Sequence, residues 1–237
     1  MASAEPRYLL GGEARANVQL TRISTAKSRI PARRRTLRGF TLIELAVTLT
    51  LVGLLLAVGL PLLMTWIRNA QVRAVADSLQ SGIRRAQTDA VRLNQTVVFS
   101  FTNATPGLNS TAVVNGKNWS IQSVAQFADP NHQANFLAGG ALADVASSVT
   151  IDTRAQTALC FNTNGRLIAL ATTGVPGAVC VAGSQQFDIN KSDYDQSTAA
   201  AKGDRQLRVL VAIGGQVHMC DRGRPTLSAT SPDGCPP

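Results

Sequence analysis

The chain has 237 residues, of which 45% are apolar and 16% are charged, and it carries a formal charge of +9. This length fits one domain or two, and the apolar content excludes wholesale disorder. Residues 1–39 hold nine Lys and Arg against two acidic side chains, whereas residues 40–237 hold fourteen against twelve. The basic charge therefore belongs to an N-terminal leader and does not indicate a basic domain that binds nucleic acid.

An uncharged segment follows the leader: residues 45–67 are 23 consecutive positions without a charged side chain. As an α-helix this segment rises about 35 Å, which is enough to cross the hydrocarbon core of a bilayer. Its length argues against a buried core helix and against the shorter apolar region of a cleaved secretory signal. Because the basic flank precedes the segment, we expect a retained membrane anchor with a cytoplasmic N-terminus and an exported remainder.

Glu44 does not fit an ordinary membrane anchor. It lies inside the apolar block that begins at Phe40, where a carboxylate costs about 2.5–3.5 kcal/mol to insert. Two interpretations remain open at this point. Either Glu44 lies at the membrane interface, or it has a cationic partner in an assembled state.

The segment from Arg38 to Glu44, RGFTLIE, resembles the processing site of type IV pilins and type II secretion pseudopilins. The resemblance implies that a membrane prepilin peptidase cleaves between Gly39 and Phe40, and that the new Phe40 amine is N-methylated. It also implies that Glu44 pairs with the Phe40 amine of a neighbouring subunit. Pro61 matches the helix proline of this family, and we expect it to kink the helix.

Beyond the apolar segment the pattern becomes two-faced. Apolar residues recur at spacings of three and four, and charged residues occupy the positions between them. The apolar positions are Val72, Val75, Leu79, Ile83, Ala86 and Ala90. The pattern predicts that one long helix continues through residues 68–94 and buries this stripe against a domain.

From Gln95 the apolar period changes to two, and turn signals separate the runs. The predicted strands are 95–102, 118–124, 149–152, 158–162, 166–171, 185–189, 206–213 and 216–220. Residues 125–147 are predicted as a loop with a short helix. The pairs at 164–165 and 214–215 are hairpin turn signals. The predicted fold is α+β, with a long N-terminal helix, transmembrane in its first half, packed on a mainly antiparallel β-sheet head.

Three stretches of the head resemble the GspH/FimT family of minor pilins: the helix-to-strand junction at 85–98, the middle hairpin at 160–166 and the closing hairpin at 207–220. The resemblance implies a pilin-like fold. The sequence has no Gly-x-Ser-x-Gly motif, no phosphate-binding loop and no paired histidines, so we expect no catalytic residues, metal or cofactor. The implied domains are a cleaved leader at 1–39, a transmembrane helix at 40–67, an amphipathic continuation at 68–94 and a β-rich periplasmic head at 95–237.

The function implied by this resemblance is that of a structural subunit in a type II secretion pseudopilus or a type IV pilus. The expected partners are the prepilin peptidase, other pilin or pseudopilin subunits and inner-membrane lipid. The expected location is the inner (cytoplasmic) membrane, crossed once, with the head in the periplasm and the subunit incorporated in a filament.

All four cysteines lie in the part predicted to be exported, where disulfides persist. Sequence proximity favours the pairs Cys160–Cys180 and Cys220–Cys235, and the second pair would close the C-terminal tail. Free buried thiols are the alternative. The spacing does not match a zinc site. The oxygen-rich stretch 188–195 lacks the Gly and Glu of a calcium loop, and we interpret it as a solvated acidic loop.

DNA binding is the alternative function. Some FimT-type minor pilins are associated with DNA capture through a Gly-Arg-x-Arg motif in the closing hairpin. The equivalent stretch here, Gly-Gln-Val-His at 215–218, lacks both arginines. The candidate DNA contacts are Arg205, Arg208, Arg222 and Arg224. Because the formal charges from residue 93 onward sum to zero, nucleic acid is the less favoured partner.

Overall fold

The computed structural model describes residues 39–125, 133–199, 203–224, 226–228 and 230–236. Residues 1–38, which make up nearly all of the expected leader, lie outside the described residues. The chain divides into two units, Met1–Val47 and Thr48–Pro237. All the strands belong to the second unit.

The helices are α1 (Leu42–Leu93) and α2 (Leu142–Val145). The strands are β1 (Val97–Thr102), β2 (Asn118–Ser123), β3 (Phe136–Ala141), β4 (Val149–Asp152), β5 (Ala158–Phe161), β6 (Gln185–Lys191), β7 (Leu207–Val211) and β8 (Val217–Asp221). They form two antiparallel sheets of four strands each, in the orders β3-β2-β1-β5 and β4-β6-β7-β8. The predicted α+β class is confirmed.

The helix α1 joins the two segments that the sequence distinguishes, the apolar run and the amphipathic continuation. By length and composition it can cross a membrane, and none of its most apolar stretch is buried within the protein. Pro61 lies inside α1, and the Thr65 hydroxyl donates a hydrogen bond to the Pro61 carbonyl at 3.3 Å. The helix continues through this position from Leu42 to Leu93, and the kink at Pro61 stays a prediction.

The second half of α1 buries the predicted apolar stripe, which is confirmed. The buried positions are Val72, Val75, Ala76, Leu79, Ile83, Ala86 and Ala90, each at most 1% exposed. They share one core with both sheets. Within this core the Phe101 ring lies 5.2 Å from the Phe187 ring, which joins β1 of one sheet to β6 of the other. The helix thus closes over a core that both sheets supply.

Two predictions about strands were wrong. Residues 166–171 do not form a strand but make only two isolated bridges, Leu167 to Phe161 and Leu170 to Cys180. Strand β3 lies within the segment predicted as a loop with a short helix, and only α2 fits that prediction. The sequence of β3, FLAGGA, shows no apolar alternation because Gly140 lies against the Trp119 ring, where a Cβ would come within 2.7 Å of ring carbons.

Candidate functional site

The predicted cleavage junction lies immediately before α1. Gly39 and Phe40 precede the helix, and the Phe40 side chain is 83% exposed. A Cβ placed on Gly39 would meet nothing within 4 Å among the described residues. The peptide bond between the two residues is therefore outside regular structure, as a protease that binds an extended backbone requires.

Thr41 caps the start of α1, which sequence reasoning had missed. The Thr41 hydroxyl accepts a hydrogen bond from the Glu44 N–H at 3.2 Å, and the Thr41 carbonyl accepts one from the Leu45 N–H at 3.1 Å. Thr41 and Glu44 have the Thr-x-x-Glu spacing of a capping box, the signal that could have identified this cap. Glu44 thus lies in the first turn, where the helix dipole favours a negative charge.

Arg68 forms a charged clasp at the end of the apolar segment. Its guanidinium donates to Asp204 at 2.9 and 3.0 Å and to Asp193 at 3.0 and 3.1 Å. The Asp204 side chain is only 1% exposed. The hydrogen bond to Asp204 is the main reason that the pKa of Arg68 is raised, although burial acts in the opposite direction. The clasp fastens the connection between β6 and β7 to α1.

Two neighbouring polar contacts extend this clasp. The Asn69 side chain donates to the Gly203 carbonyl at 2.8 Å and accepts from the Arg205 N–H at 2.9 Å. Lys191 is 5% exposed, and its ammonium donates to Gln71 of α1 at 2.6 Å. Burial, aided by the nearby positive charge of Arg68, lowers the pKa of Lys191.

A second charged cluster surrounds Asp188, which is 3% exposed in β6. Its carboxylate accepts hydrogen bonds from Arg208 at 2.6 and 3.1 Å, from Arg154 at 3.0 and 3.3 Å and from Arg222 at 3.1 Å. Burial raises the pKa of Asp188, but the hydrogen bonds from Arg208 and Arg154 outweigh it, so the pKa lies below its usual value. The interpretation of the stretch around Asp188 as a solvated loop was therefore wrong at this residue.

The four arginines named as candidate DNA contacts all face carboxylates. Arg208 and Arg222 bind Asp188, as described above. The Nε atoms of Arg205 and Arg224 lie 3.8 Å from Asp221 and 3.5 Å from Asp233, respectively. The Arg208 side chain is also only 13% exposed. The structure brings these residues to one region of the head, but their charges are offset within the protein.

Three stretches that carry the family resemblance converge at Gln87. The Gln87 side chain donates a hydrogen bond to the Gly165 carbonyl of the middle hairpin at 3.0 Å. The turn of the closing hairpin lies against the same group, because a Cβ on Gly215 would overlap both Gln87 and the Gly165 carbonyl oxygen. Gly215 also has a φ of +87°, which favours glycine. These motifs therefore mark a packing junction on α1.

Two disulfides fasten the outer parts of the head. Cys160 pairs with Cys180 and Cys220 with Cys235, which are the pairs favoured by sequence proximity. The first holds the segment after β5 over a small second core on one sheet. The second holds the tail to β8, where the Asp221 N–H also donates to the Asp233 carbonyl at 2.8 Å. Among the described residues, no group of three or more His, Cys, Asp or Glu could hold a metal ion.

Comparison with protein families gives two matches. The family described as type II transport protein GspH matches residues 75–215, which is more than half of the chain. The prokaryotic N-terminal methylation motif matches residues 34–60, which include the predicted cleavage junction and Glu44. No curated protein matches the sequence.

The similar solved structures include the type IV minor pilin FimU of Pseudomonas aeruginosa PAO1 in two crystal forms. The P21 form has a TM-score of 0.44 and 16% identity, and the match covers 67% of this chain and 95% of that one. The P65 form has a TM-score of 0.41 and 15% identity, with 66% and 98% covered. The minor pseudopilin EpsH of the Vibrio cholerae type 2 secretion system has a TM-score of 0.39 and 9% identity, with 65% and 99% covered.

Proposed function

This chain belongs to the type II transport protein GspH family and is a minor pilin or pseudopilin, and on this premise we propose how it is processed and assembled. A prepilin peptidase removes residues 1–39, the new Phe40 amine is N-methylated, and Glu44 of one subunit pairs with the Phe40 amine of its neighbour. The observation that carries this proposal is the exposed Gly39-Phe40 junction directly before a capped, charge-poor helix.

The proposed topology follows from charge and length. Residues 40–67, which include the apolar first part of α1, span the inner membrane among its lipids. The leader lies on the cytoplasmic side because its basic residues resist export. The amphipathic part at 68–94 and the head at 95–237 then lie in the periplasm, where the two disulfides persist. DNA binding is not proposed, because Arg208 and Arg222 donate to Asp188 and the formal charges from residue 93 onward sum to zero.

Cleavage is tested at Gly39. We expect Gly39→Leu to block processing, because a bulky side chain keeps the peptidase from approaching the backbone. Gly39→Ala, which adds only one methyl group, is the matched control and is expected to be processed. N-terminal sequencing of the mature protein is the measurement. A mature wild-type chain that begins at any residue other than Phe40 would contradict the proposed site.

Assembly is tested at Glu44. We expect Glu44→Ala to insert into the membrane and be cleaved normally, because removing a charge from an apolar helix lowers the insertion cost. Its incorporation into filaments should fall, because the neighbour's amine is left buried without a counter-charge. The measurement is the amount of protein in sheared filaments at equal membrane levels.

Thr41→Ala is the control for the helix cap, because Glu44→Ala keeps the backbone N–H that donates to the Thr41 hydroxyl. Thr41→Ala removes the hydroxyl that caps α1, at a cost of about 1 kcal/mol, but keeps the carboxylate. Normal incorporation of Thr41→Ala beside reduced incorporation of Glu44→Ala supports the charge pair, whereas equal loss in both variants counts against a specific role for the carboxylate. Normal incorporation of Glu44→Ala would leave Glu44 as an interface residue.

A further inference from the structure

A cleft in the second unit begins where the apolar run of α1 ends. It has a volume of about 470 Å³ and is lined by Trp66, Asn69, Ala70, Arg73, Arg205 and Leu207. The four lining residues of α1 are spaced at i, i+3, i+4 and i+7 and therefore share one face of the helix. Trp66 is 68% exposed at its edge. The cleft thus combines an exposed aromatic ring with two cationic side chains.

The position of this cleft relative to a bilayer follows from the helix rise. Arg73 lies six residues beyond Ile67, or about 9 Å along the helix axis. The headgroup layer extends about 5–8 Å beyond the hydrocarbon core on each side. Trp66 is then at the hydrocarbon boundary, where Trp is enriched. The Arg73 Cα then lies just beyond the headgroup layer, and because the Cα–Cβ bonds of a helix tilt toward its N-terminus, the Arg73 side chain can reach back to the outer part of that layer.

The guanidiniums of the two arginines of the cleft differ from that of Arg68, which donates to Asp193 and Asp204. The Nε atoms of Arg73 and Arg205 each lie 3.8 Å from one carboxylate oxygen, of Asp77 and Asp221 respectively. That distance is beyond hydrogen-bond range. Their side chains are 67% and 50% exposed. In the described residues no acceptor is within hydrogen-bond distance of either guanidinium, and each guanidinium has five N–H donors.

Asn69 holds the cleft in shape. Its side chain accepts a hydrogen bond from the Arg205 backbone and donates to the Gly203 carbonyl, so the segment that carries Arg205 is fixed beside α1. The two guanidiniums therefore belong to parts of the chain that are tied together at the cleft. Such an arrangement suits a small anion with several acceptor oxygens, which two planar donors can bind at once.

We propose that this cleft binds the phosphate of an anionic phospholipid headgroup in the leaflet on the side of the head. The two arginines donate to the phosphate oxygens, and Trp66 lies against the start of the acyl chains. The inference rests on the membrane anchoring proposed above. It adds a defined lipid site to that anchoring. The bound lipid sets the depth and rotation of α1 in the membrane before the subunit is assembled.

The test uses the full chain in a mild detergent, titrated with short-chain phosphatidylglycerol and followed by native mass spectrometry. We expect Arg73→Gln with Arg205→Gln to weaken lipid binding by about fivefold for each arginine removed. The matched control is Arg85→Gln on the same helix. Arg85 forms an i,i+4 pair with Asp89 at 3.7 Å and is 58% exposed, although it also donates to the Leu137 carbonyl at 3.3 Å. It lies about 18 Å beyond Arg73 along the helix.

Each outcome decides the inference. Weaker binding in the double variant, with normal binding in Arg85→Gln, supports it. Equal binding in all three proteins overturns it, as does full displacement of the lipid by millimolar inorganic phosphate, which would show a general anion site. Loss of filament incorporation with unchanged lipid binding also overturns it, because the cleft would then bind a neighbouring subunit.

Two further measurements keep the test valid. Arg73→Gln alone changes an exposed side chain, so it serves if the double variant does not fold, which near-ultraviolet circular dichroism would show. Membrane fractionation of wild-type cells tests the anchoring separately. A wild-type chain absent from the membrane fraction rejects the proposed anchoring, whereas an anchored chain that binds no phosphatidylglycerol rejects the lipid site alone.

Discussion

The junction at Gln87 gives the sharpest prediction for the fold of the head. Gly215 sits in the β7–β8 turn with a φ of +87°, and a Cβ there would overlap both the Gln87 side chain and the Gly165 carbonyl oxygen. Gly174 offers a matched control, because its φ is +71° but a Cβ there would meet nothing within 4 Å among the described residues. The two glycines therefore share the backbone strain and differ in the overlap.

The magnitude follows from separating these two costs. An alanine in the left-handed region costs about 1–2 kcal/mol, which both Gly174→Ala and Gly215→Ala incur. Overpacking adds about 1–3 kcal/mol for Gly215→Ala alone. Since about 1 kcal/mol shifts the melting temperature of a domain this size by 2–4 °C, we expect Gly215→Ala to melt about 2–12 °C below Gly174→Ala.

Thermal scans of the full chain in detergent, followed by near-ultraviolet circular dichroism, measure this difference. Combining Gly215→Ala with Gln87→Ala removes one of the two overlaps, so the double variant should be more stable than the sum of the single effects predicts. Equal melting temperatures for the two glycine variants would refute the packing argument, because the shared backbone strain would then explain the whole effect.

Two other predictions concern the periphery of the head. Replacing both Cys220 and Cys235 with Ser should lower the free energy of unfolding by about 3 kcal/mol, as expected for a loop of this length. Limited proteolysis should then cleave the tail of the variant faster than that of the wild type. An unchanged cleavage rate would contradict the prediction. Because the folded pKa of Asp188 is lowered, its carboxylate stabilises the head above the ordinary pKa of about 4 and loses this effect as the pH falls through the folded value. Asp188→Asn should therefore lower stability at neutral pH by about 3 kcal/mol and flatten the acid limb of a pH-dependent melting curve, whereas an unchanged acid limb would show that Asp188 is not linked to folding.

The features that local patterns encode could be predicted from the sequence. The uncharged run, the apolar stripe after Arg68 and the alternation in β1 each depend on neighbours within a few positions, so period and charge alone define them. Strand β3 could not be predicted, because its two glycines lie where a Cβ would overlap residues elsewhere in the chain, Pro106 at Gly139 and Trp119 at Gly140. The segment 166–171 has the alternation of a strand, but it makes only isolated bridges.

The charged clusters were beyond sequence reasoning for a different reason. Arg154, Arg208 and Arg222 are distant in sequence, and they meet at Asp188 only because β6 and β7 pair in the register that sets Asp188 opposite Arg208. Composition shows that charges balance within the head but not which groups pair. If that register had been known, Asp188 would have been predicted at the centre of an ion-pair cluster and not in a solvated loop.

The clasp at Arg68 also bears on how the head responds to mechanical load. The head is attached along the side of α1, from the bonds at Arg68 and Asn69 to the hydrogen bond at Gln87. A force directed along the helix axis acts on all these hydrogen bonds at once, as a shear force, so they must break together. A force that lifts one end would break them one after another. The head is therefore built to resist a pull along α1, the direction in which a helix leaves a bilayer.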